Sequence, residues 1–568
     1  MKNNKIKRSL KSKGNFIYWR FYSLRVMIFL SLILLTIRLG YLQIFNTERL
    51  LSEGNMRSIR TQTIPVFRGS ILDRNGRPLA ISVPVYAIWA DPKVFLEHIN
   101  DWRDEKWEAL AVVLKIPKNK IYGMITANPT NRFVYLTRQT EPAIGNYISK
   151  LNLPGIYLRQ ESKRYYPSGE VTSQLIGITN IDGAGIDGVE KSFNHILTGQ
   201  AGKRVVRRDR RGQVIENISL VDGGVAHDIT LSIDERLQYL VYHKLNNAVV
   251  YNKAKSGSAV LLDINTGEIL AMANYPSYNP NNLLAANKEM MRNRIITDMY
   301  EPASTVKPMV VLTALLRGVV KPDSVLNTLP YYIGDHQIRD VGCYAKLSIT
   351  GVLQKSSNVG VSKMSLAMPV LALIDTYRKF GLGKPTLLGL VGESSGFLPT
   401  RKQWSDLQRA TFSYGYGLMV TPLQLARVFA TLGSFGIYRP LSITKVELPV
   451  QGQRVFPESV VRTVVHMMES VALPGGGGAK GAIKGYRIAI KTGTLKKVGK
   501  HGKYVNKYIS YTAGLAPVSQ PRFSLVIIID EPNAGKYYGG AVSAPIFGEI
   551  MSETLRVMNI KPDALSLN

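Results

Sequence analysis

From Val26 to Phe45 the chain reads Val-Met-Ile-Phe-Leu-Ser-Leu-Ile-Leu-Leu-Thr-Ile-Arg-Leu-Gly-Tyr-Leu-Gln-Ile-Phe, with Arg38 its single charge. About 20 such residues cross a hydrocarbon layer of roughly 30 Å as a helix, so the run predicts a single transmembrane anchor over 26–45. Ahead of it stand Lys2, Lys5, Lys7, Arg8, Lys11, Lys13, Arg20 and Arg25 without one acidic residue. That excess of positive charge keeps residues 1–25 cytoplasmic and sends the remainder of the chain to the other side. No small-residue cleavage site follows the apolar run, which argues for a retained anchor rather than a removed signal peptide. Arg38 either snorkels to the outer interface or faces a partner helix; the sequence leaves both open.

Beyond the anchor, the 568 residues allow three to four domains, and 45% hydrophobic residues supply ample core. The lone cysteine, Cys343, excludes an internal disulfide and reads as a small buried hydrophobe. A net charge of +32 invites a nucleic-acid reading. Eight of the positive charges lie in the tail, no recognition motif accompanies the rest, and export separates the protein from nucleic acid. Attraction to anionic headgroups and acidic peptides accounts for the charge as well. The basic run from Arg204 to Arg211 is expected on a solvated strand edge.

Three short strings carry chemistry: Ser304-Thr305-Val306-Lys307, Ser356-Ser357-Asn358 and Lys491-Thr492-Gly493-Thr494. Ser304 opens an apolar helix after the turn residues Glu301-Pro302, and residues three apart on a helix lie about 5 to 6 Å apart at Cβ, so Lys307 reaches its hydroxyl. Pro308 is tolerated in the first turn, and the helix dipole there favours developing negative charge. A serine nucleophile needs a base. None of the seven histidines lies beside the strings, which leaves Lys307, provided burial and the like charge of Lys491 depress an amine pKa of about 10.4. Ser442-Ile443-Thr444-Lys445 has the same Ser/Lys spacing but sits in an alternating strand, where residues three apart face opposite ways, and is read as a decoy.

Alone, Ser356-Ser357-Asn358 is a loop or a helix cap. About 50 residues after Ser304 and ahead of the third string, it reads instead as a hydroxyl for proton relay and an amide for holding substrate. Alternation over Tyr486–Ile490 predicts a strand leading into Lys491. Gly493 lets a substrate backbone lie against that strand as an added one. Lys491, Thr492 and Thr494 then face a substrate carboxylate, and the amides of Thr494 and Ser304 form an oxyanion hole.

In order and type these strings resemble the S-x-x-K, S-x-N and K-T-G set of penicillin-binding proteins and serine β-lactamases. Arg68-Gly69-Ser70-Ile71-Leu72-Asp73-Arg74-Asn75-Gly76-Arg77-Pro78-Leu79-Ala80 is similar to the signature opening the non-catalytic domain of class B penicillin-binding proteins. Tyr166–Glu170, Gly188–Ser192, Ala271–Pro280 and Tyr414–Gly417 resemble the division-specific members from Gram-negative bacteria. The resemblance spans roughly residues 20 to 560 and implies a peptidoglycan D,D-transpeptidase of the inner membrane. Ser304 would be acylated by a stem peptide ending in D-alanyl-D-alanine, the acyl group would pass to a neighbouring stem-peptide amine, and β-lactams would acylate the same serine. It also implies a septal glycan polymerase, FtsW-like, and other division proteins as partners, with no cofactor or metal. Leu495 departs from the small residue expected there and could alter inhibitor fit. Ser357, where class A β-lactamases carry aspartate, leans toward transpeptidase. A β-lactamase, a β-lactam sensor and a catalytically idle scaffold are the alternatives.

The expected architecture is α+β and multidomain. A β-rich, elongated pedestal covers 46–225, a transpeptidase domain 226–560 and a short tail 561–568. A hairpin over Ser258–Met272 turning at Asn265-Thr266-Gly267, a pair at Tyr508–Leu515 and Phe523–Asp530, and the strand before Lys491 make a five-stranded, mainly antiparallel sheet flanked by helices. Thr421-Pro422-Leu423-Gln424 is a capped helix start. Gly475–Gly478 is a flexible loop, since it lacks the ending of a phosphate loop.

Overall fold

Stretches dense in branched and aromatic residues, broken by Asn-Thr-Gly and by prolines, fold into the sheet that organises the C-terminal half. In the computed structural model it has five strands in the order Ile269–Tyr275, Ser256–Asp263, Phe523–Asp530, Tyr504–Ala516, Ala489–Val498. Every neighbouring pair is antiparallel. The structure describes residues 18–64, 67–199, 202–209, 214–221, 224–401, 403–447, 450–499 and 504–564. Most of the basic tail, Arg210, Arg211 and residues 565–568 of the C-terminal tail lie outside the described residues.

The hairpin turns as expected, with Asp263 Oδ1 accepting the Asn265 amide at 2.9 Å and Gly267 at φ +76°. Helices cover both faces. Ser524 donates to the Ala426 carbonyl of helix Pro422–Gly433, while Thr512, paired across strands with Ile527, meets Ser543 of helix Gly539–Val557. Residues 524 and 527 differ in parity, so these helices lie on opposite faces. Helix Pro422–Gly433 begins with the Thr421/Gln424 capping box that its sequence announced. The strand leading to Lys491 starts at Ala489 and continues through Lys-Thr-Gly-Thr to Val498. It is an outer strand of the sheet, so one of its edges has no strand partner among the described residues.

The chain divides into two compact units, residues 1–66 with 200–224, and residues 67–199 with 225–568. The first contains helix Tyr18–Gly40, continued by a π-helical turn Tyr41–Phe45. Together these give an apolar span of 28 residues, Tyr18–Phe45, beginning earlier than the expected 26–45 and long enough to cross a membrane. Arg38 lies 5.5 Å from the Tyr41 ring centre. The same unit holds a three-stranded sheet in which Gly202–Arg208 is the middle strand, between Ile59–Ile64 and Val214–Val221. The expected solvated edge is therefore corrected. Arg207 pairs in register with Glu216 at 3.1 Å and Arg204 donates to Asn217 at 2.7 Å, so cross-strand partners offset the charge of a central strand.

In the second unit, Pro78–Ala90 pairs with Val134–Thr140 and Ile156–Tyr165, and helices Glu105–Leu114, Lys118–Thr126 and Pro142–Leu151 accompany these strands. Trp107, Leu110, Ile121 and Ile148 bury together in a local core. The Arg68–Ala80 signature is structural here. Glu190, fully buried, accepts from Arg68 Nε and Arg164 Nε, each at 2.6 Å, and its carbonyl accepts from Arg68 Nη2 at 2.6 Å. Asp73 accepts the Glu235 amide at 3.1 Å, at the start of helix Glu235–Tyr251.

Two further expectations meet different outcomes. Ser442 bridges Glu268 in extended conformation while Lys445 donates to the Arg74 carbonyl at 3.0 Å, so this Ser/Lys spacing forms no site. Cys343 is exposed, not buried. It lies in the surface segment between the short strands His336–Ile338 and Lys346–Ser348, where neighbouring Val341 is 87% exposed and no core is at hand.

Replacing Glu190 by alanine strands two buried guanidinium groups. The expected loss of unfolding free energy is about 3–5 kcal/mol, read as a lowered denaturant midpoint; a midpoint unchanged from the parent would show the cluster to be energetically idle.

Candidate active site

The site begins with backbone geometry. Ala303 takes φ +50°, uncommon for a residue with a side chain, and leads into a 3₁₀ turn, Ala303–Val306, followed by helix Lys307–Leu316. Residues three apart nearly eclipse in a 3₁₀ turn, which brings Lys307 into line with Ser304. The helix that the sequence predicts from Ser304 is thus 3₁₀ for its first turn, with Pro308 inside the first α-turn. Gly415 backs this corner at φ +93°, where an added Cβ would fall 2.1 Å from the Ala303 carbonyl oxygen.

A second positive φ, +56° at Ser356, turns the chain between helices Ile349–Gln354 and Asn358–Leu366. Ser357 caps the latter, its hydroxyl accepting the Gly360 amide at 2.9 Å. The turn aims Ser356 and Asn358 at Lys307. Lys307 Nζ lies 2.5 Å from the Ser356 carbonyl, 3.2 Å from Ser356 Oγ and 2.7 Å from Asn358 Oδ1.

From the outer strand, Lys491 Nζ donates to Ser356 Oγ at 2.9 Å and to the Thr492 carbonyl at 2.9 Å. Alternation separates the buried Lys491 stem from Thr492 and Thr494, which line the cleft. Thr494 Oγ1 accepts the Gly539 amide at 3.0 Å, leaving its hydroxyl proton for the cleft. Gly493 is where strand meets turn: a Cβ there would lie 3.2 Å from Thr305 Cγ2 and 3.5 Å from the Pro302 carbonyl oxygen. All eight expected positions, Ser304, Lys307, Ser356, Asn358, Lys491, Thr492, Gly493 and Thr494, therefore converge on one cleft of about 710 Å³. The Ser304 hydroxyl has no hydrogen-bond partner among the described residues and lines that cleft.

Lys307 and Lys491 are 0% and 1% exposed. Burial pushes Lys491 down to about 7. Burial also drives Lys307 well below the ordinary lysine value, the charge of Lys491 adding to the effect and Asp340 opposing it. The pocket therefore favours the neutral form of Lys307. A neutral Lys307 amine has two N–H groups for the Ser356 carbonyl and Asn358 and a lone pair for a hydroxyl proton.

Some participants escaped the sequence reading. Asp340 accepts from Ser357 Oγ at 2.5 Å and from the Val359 amide at 2.9 Å, fixing the Ser356 turn. Gly539 supports Thr494, and Gly476 and Gly477 of the glycine-rich loop line the cleft. No local pattern marks Asp340 or Gly539; each matters through a contact distant in sequence. Leu495, expected beside the cleft, is 6% exposed and joins the core instead. Among the described residues no group of His, Cys, Asp and Glu is arranged to hold a metal ion.

Gly415→Ala would force a side chain into the Ala303 carbonyl from a strained φ, at a cost of about 1–3 kcal/mol or more. Amide hydrogen exchange is expected to quicken across residues 301–306 while the central sheet stays protected. Unchanged exchange there would mean that the corner does not depend on Gly415.

Residues 257–552 match the family model for the penicillin-binding protein transpeptidase domain, and residues 63–231 that for the penicillin-binding protein dimerisation domain. The chain is 65% identical over 565 residues to the Peptidoglycan D,D-transpeptidase FtsI of Escherichia coli (strain K12), covering 100% of this chain and 96% of that protein. It is 55% identical over 564 residues to the protein of the same name from Buchnera aphidicola subsp. Schizaphis graminum, covering 99% and 98%. Among solved structures, a peptidoglycan synthetase from Bifidobacterium adolescentis has the same fold, with a TM-score of 0.71 at 24% identity over 90% of this chain and 98% of that one. With both domain models matched in order and relatives aligned from end to end, this chain belongs to the penicillin-binding protein transpeptidases, in the group of FtsI-type D,D-transpeptidases.

Proposed function

We propose that this chain is a membrane-anchored peptidoglycan D,D-transpeptidase that cross-links stem peptides at the division septum. The observation that carries the reading is the Ser356 hydroxyl held between two buried amines, 3.2 Å from Lys307 Nζ and 2.9 Å from Lys491 Nζ, in the cleft that Ser304 lines. Neutral Lys307 takes the Ser304 proton as Oγ attacks the penultimate D-alanine carbonyl carbon. The amides of Ser304 and Thr494 stabilise the oxyanion. The proton passes by way of Ser356 to the departing D-alanine amine, leaving an ester on Ser304, while Asn358 holds Lys307 and the substrate amide. An amine of a second stem peptide attacks that ester, a new amide forms, and the proton it sheds returns to Ser304 Oγ. Lys491, Thr492 and Thr494 hold the donor's terminal carboxylate, and Gly493 admits the donor backbone along the unpaired strand edge. β-Lactams acylate Ser304 because their ring amide occupies the place of the scissile bond.

The basic tail, residues 1–25, lies in the cytoplasm, 26–45 spans the inner membrane, and the pedestal 46–225 and transpeptidase domain 226–560 stand in the periplasm. The anchor and pedestal are the surfaces for an FtsW-like glycan polymerase and other division proteins. Peptide mapping after penicillin treatment is expected to find the adduct on Ser304 and to find it persisting for hours. An adduct on another residue overturns the assignment, and rapid release of hydrolysed penicillin makes the chain a β-lactamase.

The two amines set the pH profile. Acylation needs Lys307 neutral, so it is lost as pH falls through the depressed Lys307 value; it needs Lys491 charged, so it is lost as pH rises through about 7 in the free enzyme. Lys491→Met removes a charge-assisted hydrogen bond of about 2 kcal/mol, roughly a thirtyfold slowing at neutral pH. It also abolishes the alkaline limb and, by deleting a like charge, moves the acid limb upward. Stopped-flow acylation from pH 5 to 9 reads all three, and an alkaline limb that survives the substitution contradicts the role given to Lys491.

A further inference from the structure

The catalytic cleft has two ends along the outer strand, and the glycine-rich loop after helix Glu458–Glu469 walls one of them. Gly477 donates its amide to the Gln354 carbonyl at 3.1 Å, and Lys355 Nζ donates to the Gly475 carbonyl at 2.8 Å, so the residues just before Ser356 tie the loop down. On its other side the loop meets the strand: a Cβ added at Gly478 would lie 3.3 Å from Thr492 Cγ2, and one at Gly477 would lie 3.4 Å from Thr492 Oγ1. The loop therefore stands at the Lys491 end of the strand, away from Lys496. Lys480 follows it, exposed and lining the cleft. Among the described residues its ammonium has no hydrogen-bond or ion-pair partner.

The order of the two half-reactions gives this end a second use. On the proposed mechanism the donor's terminal carboxylate sits at Lys491 and Thr492, so D-alanine departs here. The second half-reaction is the first run backwards with a different amine: nitrogen attacks the ester carbon, the bond from that carbon to Ser304 Oγ breaks, and Oγ regains the proton the amine sheds. A step and its reverse share one transition state, so the incoming nitrogen reaches the carbon along the path by which D-alanine nitrogen left. The acceptor thus enters past Gly476, Gly477 and Lys480, and the two glycines leave that approach free of side chains. The donor brings one carboxylate to this end, and Lys491 with the threonine hydroxyls accounts for it. Lys480 is a cation for which the donor has no group. An acceptor with a carboxylate beyond its amine-bearing carbon supplies the partner.

We propose that the loop 475–480 is the acceptor subsite and that Lys480 selects an amine whose chain carries a second carboxylate, beyond the one that takes the place of the D-alanine carboxylate. The proposal rests on the D,D-transpeptidase reading of the cleft and adds a subsite for the second substrate. Lys480 is a specificity residue that acts after the acyl-enzyme has formed and touches no reacting atom.

The test uses the full-length protein in detergent, the thioester of N-benzoyl-D-alanine with mercaptoacetate as donor, and two acceptors that share the D-alanine head group, D-2-aminopimelate and its ω-amide. Ser304 Oγ displaces mercaptoacetate as the thiolate, and the resulting ester passes to the amine as an amide or to water as N-benzoyl-D-alanine. Thiol release reads acylation, whereas the amide-to-acid product ratio reads the acceptor step alone. In that ratio the parent at low salt is expected to favour the dicarboxylate over its ω-amide by at least about threefold, and the preference is expected to fade in molar salt. Lys480→Gln is expected to bring the two acceptors within about 1.5-fold. Equal treatment of both amines by the parent, transfer to neither despite thiol release, or a Lys480→Gln variant that keeps the preference overturns the proposal. A parent that neither releases thiol nor reacts with benzylpenicillin refutes the underlying transpeptidase reading instead. Should Lys480→Gln release no thiol, the parent's preference and its loss in salt still decide.

Discussion

Two lysine amines, Lys307 and Lys491, are withdrawn from water within hydrogen-bond reach of a single hydroxyl, Ser356 Oγ. Burying an ammonium without a counter-charge costs several kcal/mol even after relaxation, and neither amine has a carboxylate within ion-pair distance among the described residues. The fold answers by letting charge go: burial and mutual repulsion favour the neutral form of Lys307. On the proposed mechanism, a side chain ordinarily protonated at neutral pH thereby serves as the base. Asp340, whose charge opposes the shift, is engaged by Ser357 and Val359 and forms no ion pair with Lys307. The same carboxylate shapes the Ser356 turn, so one residue both locates the relay hydroxyl and limits how far Lys307 is depressed.

Such a pocket survives only if three chain segments are held against one another with little tolerance. The strand Ala489–Val498 is pinned to the Ser304 turn where Gly493 omits a side chain, and the turn is backed by Gly415, which has no room for one. The sheet behind them is buried on both faces, and interiors at crystal-like density resist the ångström-scale shifts that would separate the amines. Two of the residues that take positive φ despite carrying a side chain, Ala303 and Ser356, lie in the cleft itself. Backbone of this kind persists where surrounding packing over-determines it.

The three strings were legible because the chemistry fixes residue types at short spacings, and their strand and helix settings follow from alternation and capping within ten or so residues. The hairpin at Asn265-Thr266-Gly267 and the Thr421/Gln424 cap were legible for the same reason. What stayed hidden depends on neighbours far away in sequence. Arg204 and Arg207 look like a solvated edge until Asn217 and Glu216 are seen across the strand pair. Cys343 has the composition of a core residue and the location of a surface bend. Leu495 follows the catalytic string, yet it packs into the core while Thr494 next to it lines the cleft, because successive residues of a strand face opposite ways. The same alternation that revealed the strand was available to predict that outcome.

The outer position of Ala489–Val498 brings a liability together with its use. Unpaired strand edges invite association with any extended chain, and a transpeptidase needs that edge free for its donor. Access is narrowed by what surrounds it: Gly539 ties the helix Gly539–Val557 to Thr494, Gly477 comes close to Thr492, and Tyr414 and Tyr416 line the cleft wall. On the proposed mechanism, a peptide that enters is extended and terminated by a carboxylate near Lys491. D-Alanyl-D-alanine satisfies these conditions with two methyl side chains and a free C-terminus. On the same mechanism, selectivity at this end of the cleft comes from steric exclusion and one charge, and a strained bicyclic amide with a carboxylate fits the same space.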